Sequence, residues 1–213
     1  MKIIPRGMRN VITPVPRASS SIVTAASKSI QDTVQFTCRK APKEWLIHIQ
    51  DLIKPQNLKK LKEWDDYVLL IHDSPKASLI KKDGLRCCAD INPELASYKR
   101  SLGFSNDPDL IYFRPKTPHS NFKIKDDSIV IAVPKKNIRV FNQEERVSQN
   151  FAFYMGRSMP IEEYDKLLSE IKPGQCLKGD RRIVPYEKAG QDLYIPEVCF
   201  DDRYISPEYF VKL

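Results

Sequence analysis

Three short stretches rich in apolar and β-branched residues, far apart in the chain, each carry one candidate functional side chain. They are residues 68–74, 109–118 and 193–198, and the side chains are, in order, His72, Tyr112 and Glu197. Runs of this length and composition are typical of buried strands. A carboxylate inside such a run needs a reason to be there, because burying a charge is costly. The sequence therefore predicts a sheet that carries these three side chains.

The order of the helical and strand patterns predicts an α+β fold. Apolar residues recur at three- and four-residue spacing in residues 43–53 and 160–171, which predicts two helices. Further helices are expected at 58–64, from Ser74-Pro75 to a C-cap at Gly84, and at 91–98. Strands are expected at 67–71, 110–113, 128–133, 138–141, 194–200 and 209–213, whereas 150–154 fit either state and 174–192 are irregular. Helices gathered in the first half and strands in the second favour α+β over alternating βαβ units.

Length and charge limit the class of protein. At 213 residues, the chain suits one domain with an appendage. Its 35 basic against 27 acidic residues give a net charge of +8, which favours nucleic acid, acidic protein surfaces or a phosphate-rich cofactor as partners. No apolar stretch approaches the ~20 residues of a membrane helix. The seven glycines form neither GxGxxG nor GxxxxGK[ST], which argues against a Rossmann or P-loop site.

Residues 1–40 differ from the rest and are expected to form a flexible basic tail before a catalytic domain at 41–213. Asp32 is their only acidic residue, and prolines and small polar residues are frequent. This composition fits a transit-like or secretion leader and equally a plain disordered tail. The protein is accordingly expected in the cytoplasm, or secreted into a host cell to act in its cytoplasm.

The five cysteines argue against a metal centre. Their number is odd and no two form a CxxC pair, so neither a zinc site nor a disulfide framework is expected. Reduced thiols in a cytosolic compartment are the simpler interpretation. Asp201-Asp202 is too sparse a pair to indicate a metal by itself.

The order His, Tyr, Glu on three strands resembles the His-Tyr-Glu branch of the ADP-ribosyltransferase superfamily. His72-Asp73-Ser74, an apolar helix and then Asp83-Gly84-Leu85 resemble the opening motif of its NAD-dependent members. Residues 112–118, Tyr-Phe-Arg-Pro-Lys-Thr-Pro, resemble a run in DarT-type nucleic-acid ADP-ribosyltransferases. Residues 196–198 and 205–210 resemble the catalytic C-terminus of the same group. The resemblance covers roughly residues 67–213.

The resemblance implies a split antiparallel β-sheet with flanking helices and NAD as co-substrate, without a metal. Glu197 would be the catalytic carboxylate, which stabilises the positive charge that builds on the ribose as nicotinamide leaves. The residues that contact NAD would be His72, Ser74, Tyr112, Arg114 and Arg100. We expect the side chains of His72 and Tyr112 to share one NAD-sized pocket.

A basic loop precedes the catalytic strand, where this superfamily places target recognition. Its candidate target-binding residues are Lys178, Arg181, Arg182 and Tyr186, which could grip phosphates and stack on a base. Ile195 stands where arginine-modifying members carry a second acid, so an arginine target is disfavoured. Nucleic acid is slightly favoured as acceptor. The alternatives are a secreted effector that modifies a host protein and a basic nucleic-acid-binding module without catalysis.

Overall fold

The computed structural model describes residues 43–61, 64–102, 107–136, 138–142, 158–190 and 192–213, without the side chains of 99–102. The expected basic tail and the segment 150–154 lie outside the described residues. No helix within the described ranges is long and apolar enough to cross a membrane.

A six-stranded antiparallel sheet organises the described part of the chain. Its strands are β1 (Tyr67–His72), β3 (Ile111–Lys116), β4 (Ile129–Pro134), β5 (Arg139–Asn142), β6 (Met159–Pro160) and β9 (Pro196–Phe200). They lie in the order β4-β1-β3-β9-β5-β6. Two smaller sheets pair β2 (Leu85–Arg86) with β10 (Tyr204–Ile205) and β7 (Gln175–Leu177) with β8 (Ile183–Pro185). This architecture agrees with the expected α+β class.

Helices flank the sheet. They are α1 (Pro55–Leu58), α2 (Ala77–Asp83), α3 (Cys88–Ile91), α4 (Pro93–Leu102) and α5 (Ile161–Glu170). The apolar stripe of α5 buries Ile161 and Tyr164, as its spacing predicts. The C-cap of α2 is Gly84, as predicted, with a φ of +88°. A Cβ atom at this glycine would lie 2.3 Å from the ring of Tyr204, so the close approach of the two segments requires glycine.

The main core lies on one face of the sheet because alternate residues of each strand point to the same side. Val68 and Leu70 on β1, Phe113 on β3, and Val198 and Phe200 on β9 are all at most 2% exposed. They belong to one apolar cluster that also takes in the buried residues of α5. We call this side of the sheet the core face.

The prediction of a helix at residues 43–53 is wrong. Two short 3₁₀ turns, Lys43–Trp45 and Ile49–Asp51, stand there instead. Between them Ile47 forms an isolated parallel bridge with Phe200, and its carbonyl accepts a hydrogen bond from Asp201 N. Pairing with β9 therefore overrides the helical spacing of the apolar residues.

Three further expectations need correction. The helix expected at 58–64 is displaced, because α1 begins at Pro55 and ends at Leu58. The stretch 174–192 is not irregular, since it contains the β7–β8 hairpin. The last strand, expected at 209–213, is replaced by the 3₁₀ turn Pro207–Tyr209 and an extended segment, from which Val211 N donates to the carbonyl of Val130 at 2.8 Å. Together with Ile53 N, which donates to Ala132 O at 2.9 Å, that segment covers the outer edge of β4.

Candidate active site

Glu197 lies in the middle of the sheet, on the strand between β3 and β5. Phe141 on β5 is its direct cross-strand partner, and Tyr112 on β3 is the partner of Cys199. Directly opposed residues of antiparallel strands point to the same side, so these four side chains share the face opposite the core face. Extending the β3–β9 register by one residue from the Phe113–Val198 pair places Arg114 opposite Glu197. We call this side the Glu197 face.

The carboxyl group of Glu197 is partly buried, and burial raises its pKa from 4.5 to about 7. Within the described ranges it takes part in no hydrogen bond or ion pair. Desolvation therefore acts on this carboxylate without a compensating cation. A carboxylate with a pKa close to neutral pH can accept or donate a proton during a reaction.

An apolar cluster beside Glu197 explains the desolvation. Phe141 and Cys199 are buried there together with Leu46, and the partly buried rings of Trp45 and Tyr112 pack against them. Burial, with the charge of Glu197 as a lesser cause, raises the pKa of the Cys199 thiol well above its ordinary value. Tyr112 is the diagonal neighbour of Glu197, since it opposes the residue two positions further along β9. An aromatic ring and a poorly solvated carboxylate thus lie side by side.

Arg114 turns away from Glu197. Its guanidinium donates to Asp73 Oδ2 at 3.0 Å and lies 3.7 Å from the ring centroid of Phe122. The other carboxylate oxygen of Asp73 accepts a hydrogen bond of 2.6 Å from Ser128 Oγ. Asp73 thus fixes Arg114 towards the β1–β4 side of the sheet, which agrees with the raised pKa of Glu197.

The expectation that the side chains of His72 and Tyr112 share one pocket is wrong. His72 Nδ1 donates to the main-chain carbonyl of Tyr112 at 3.0 Å, and its ring contacts Phe113, with 5.8 Å between centroids. Phe113 belongs to the core face, so His72 and Tyr112 point to opposite sides of the sheet. The tyrosine hydroxyl instead donates to the carbonyl of Asp107 at 3.1 Å.

Ser74 and Arg100 are two other expected NAD contacts. Ser74 Oγ accepts a hydrogen bond from the main-chain N–H of Lys76 at 3.2 Å, which orders the turn before α2. The side chain of Arg100 lies outside the described residues. A role for either residue in NAD binding stays a prediction.

The hairpin β7–β8 and the residues around it carry the expected target-binding side chains. Arg181 donates to Glu163 Oε1 at 3.0 Å and to the carbonyl of Ser158 at 2.8 Å, which ties the hairpin to α5. Arg182 Nε donates to Asp180 Oδ2 at 2.7 Å, and Lys178 Nζ lies 3.6 Å from Asp192 Oδ2. Tyr186 is 63% exposed. Local carboxylates therefore offset much of the positive charge that the sequence placed here.

A cleft of about 450 Å³ lies beside the edge strand β4, away from Glu197. Lys81 on α2, Ile129 and Val130 on β4, and Phe210 line it together with neighbouring residues. Strands β1 and β3 separate β4 from the strand of Glu197.

Among the side chains that the structure describes, no group of three or more His, Cys, Asp or Glu residues could hold a metal ion.

Sequence reasoning missed two contributors to the Glu197 face. Trp45 lies in a segment whose spacing predicts a helix, and its packing on Phe141, with ring centroids 6.1 Å apart, depends on the non-local pairing of Ile47. Asp73 has no role of its own in the motif His72-Asp73-Ser74. The register of β1 with β3 and β4, which brings it to Arg114 and Ser128, has no local signal.

No family model matches this chain, and no curated protein or solved structure matches it either.

Proposed function

We propose that this protein is an NAD-dependent ADP-ribosyltransferase that moves ADP-ribose from NAD onto a macromolecular acceptor, with nucleic acid favoured over protein. The observation that carries the proposal is the partly buried carboxylate of Glu197, whose pKa is about 7, beside the ring of Tyr112. Both residues belong to the motifs that resemble the His-Tyr-Glu branch of the superfamily. The six-stranded antiparallel sheet is compatible with the split sheet of that superfamily, which is part of the proposal.

The proposed reaction breaks the bond between nicotinamide and the ribose of NAD and forms a bond from that ribose carbon to the acceptor. Nicotinamide leaves with the electron pair of the broken bond, and the ribose ring becomes positively charged. The carboxylate of Glu197 stabilises this charge and takes the proton that the acceptor atom loses on attack. The products are ADP-ribosylated acceptor, nicotinamide and one proton.

The other residues of the Glu197 face have supporting roles in this proposal. Tyr112 offers a flat ring for nicotinamide. Arg114 keeps guanidinium N–H groups that can meet a pyrophosphate while Asp73 holds one of them. His72 enters as a positioning residue, because it holds the carbonyl of Tyr112 from the core face.

The test is incubation of the full chain with NAD labelled in the nicotinamide or in the adenylate part. Samples contain no acceptor, single-stranded oligonucleotides, or cell lysate. Nicotinamide release together with adenylate label on an oligonucleotide supports the proposal. Label on a lysate protein alone supports the effector that modifies a host protein. Folded protein that releases no nicotinamide under any condition refutes the enzyme and leaves a binding module.

A further inference from the structure

A tryptophan and an arginine in cation–π contact extend the Glu197 face across β5. The guanidinium carbon of Arg139 lies 4.4 Å from the ring centroid of Trp45. Trp45 in turn packs on Phe141, which is the cross-strand partner of Glu197. Arg139 precedes Phe141 by two residues on β5, so both point to the same side of the sheet. A continuous row of side chains thus leads from the carboxylate to the guanidinium.

The guanidinium of Arg139 is held by neutral groups. Its Nη2 donates to the carbonyl of Ser158 at 3.2 Å and to the hydroxyl of the same residue at 3.1 Å. Ser158 is 1% exposed, so this anchor is buried. In the part of the chain that the structure describes, Arg139 has no carboxylate partner, in contrast to Arg181 and Arg182. Among those described residues, no acid offsets its charge.

We infer that Trp45 and Arg139 form the platform on which a nucleobase of a single-stranded nucleic-acid acceptor stacks beside Glu197. This inference rests on the proposed function. Both side chains are partly exposed, and the guanidinium carbon of Arg139 lies over the indole ring of Trp45. A planar guanidinium beside an indole offers a cationic surface on which a flat group can stack. Bases stack on such surfaces whatever their sequence, while the positive charge of Arg139 attracts the phosphate backbone. Nucleic acid carries a planar base and a charged phosphate in every nucleotide, whereas a protein acceptor rarely has an aromatic ring next to a strong negative charge.

The chain contains its own control for this pair. Lys135 Nζ lies 4.7 Å above the ring centroid of Trp64, so a second tryptophan also carries a cation. Lys135 follows β4, at the opposite side of the sheet from β5, and its ammonium group is not planar. These are the only two tryptophans in the sequence, so each can be observed alone by fluorescence.

The test is a titration with single-stranded DNA and RNA oligonucleotides, without NAD, of two single-tryptophan variants. Trp64→Phe leaves Trp45 as the reporter, and its emission should be quenched on binding. Trp45→Phe leaves Trp64, which should not respond. In the Trp64→Phe background, Arg139→Ala should weaken binding about tenfold or more, whereas Lys135→Ala should not change it. Arg139→Lys keeps the charge but not the plane, and it should recover only part of the affinity.

Three results overturn the platform: equal quenching of both tryptophans, no quenching by any oligonucleotide, or full affinity in Arg139→Lys. The last would mean that charge alone binds the strand. Circular dichroism and thermal unfolding verify that each variant is folded. If Arg139→Ala does not fold, Arg139→Lys alone tests the platform. The titration contains no NAD, so it tests the platform separately from the enzyme. If an oligonucleotide quenches Trp45 but the labelled-NAD assay shows no cleavage, the enzyme is refuted and the platform is retained. If ADP-ribose is transferred to lysate protein but no oligonucleotide quenches Trp45, the platform is refuted and the enzyme is retained.

Discussion

Phe141 lies directly opposite Glu197 across the β9–β5 pair, and it is also the residue on which Trp45 packs. The neighbour of the carboxylate on that side is therefore a buried aromatic ring rather than a cation or a hydrogen-bond donor. On the other side, Arg114 is held by Asp73. The chemistry proposed for Glu197 depends on this arrangement, and it gives the first three predictions.

Glu197→Gln should lower ADP-ribose transfer by about 10²–10⁴-fold, because the amide neither stabilises the developing positive charge nor accepts a proton. The variant should fold, since glutamine is nearly isosteric. Glu187→Gln, at an exposed glutamate on the 3₁₀ turn after β8, is the matched control and should keep wild-type rates. Label transfer from NAD measures both. Wild-type transfer by folded Glu197→Gln protein would contradict the catalytic assignment.

The rate of transfer should rise with pH through a transition near pH 7. Glu197 must be ionised to stabilise the ribose charge, and burial raises its pKa to about 7. The measurement is kcat/KM for NAD between pH 5 and 9. A rate that is already constant from pH 5 upwards would show that no group of raised pKa controls the reaction.

Stability should depend on pH through the same residue. The pKa of Glu197 is raised from 4.5 to about 7 on folding, so the folded protein binds more protons than the unfolded chain between these values. The free energy of unfolding should therefore fall as pH rises through this window, by on the order of 3 kcal/mol. The Glu197→Gln variant lacks this contribution. Urea unfolding at pH 5 and pH 8 should show that Glu197→Gln becomes more stable relative to wild type at the higher pH. The same difference in free energy of unfolding at both pH values would contradict this prediction.

Gly84→Ala should be strongly destabilising. The backbone there has a φ of +88°, and the added Cβ would meet the ring of Tyr204 at 2.3 Å. We expect a loss of roughly 2–4 kcal/mol from strain and displacement together. Gly174→Ala is the control: its φ is +81° but no atom lies within 4 Å of the new Cβ, so only backbone strain remains. Thermal unfolding of the pair isolates the contact with Tyr204, and equal melting temperatures would deny it.

Arg181 has a structural role in the hairpin, whereas the exposed Arg182 and Lys188 are candidates for contact with the acceptor. Arg181→Ala should lower the melting temperature, because this residue ties the hairpin to α5 through Glu163 and Ser158. Arg182→Ala combined with Lys188→Ala removes exposed charge and should depress transfer to the acceptor while NAD hydrolysis stays nearly unchanged. A nucleic-acid acceptor should also bind less tightly as salt rises. Unchanged transfer by the double variant would remove the hairpin from target recognition.

Local patterns in the sequence predict several elements well. The short, β-branched apolar run at residues 129–133 predicts a buried strand, and the stripe of Ile161 and Tyr164 has the period of a helix. Gly84 marks the end of α2 because only glycine suits its backbone and its neighbour. These elements depend on interactions within a few residues.

Other features depend on pairings that no local pattern reports. The apolar residues of 43–53 have helical spacing, yet the main chain of Ile47 exchanges hydrogen bonds with Cys199 and Asp201. Whether His72 and Tyr112 share a face follows from the register of β1 and β3, and a shift of one residue would reverse the answer. The candidate site was therefore predictable as a set of residue types on three strands, but not as a geometry that places Tyr112 with Glu197 and excludes the His72 side chain.

The outer edge of β4 has a consequence for association. An exposed edge strand offers free main-chain groups to a strand of another molecule. Here the carbonyls of Val130 and Ala132 already accept hydrogen bonds from Val211 and Ile53. Those two positions are closed to sheet extension by a neighbouring copy, so the segment before β1 and the segment after β9 protect the sheet against aggregation along this edge.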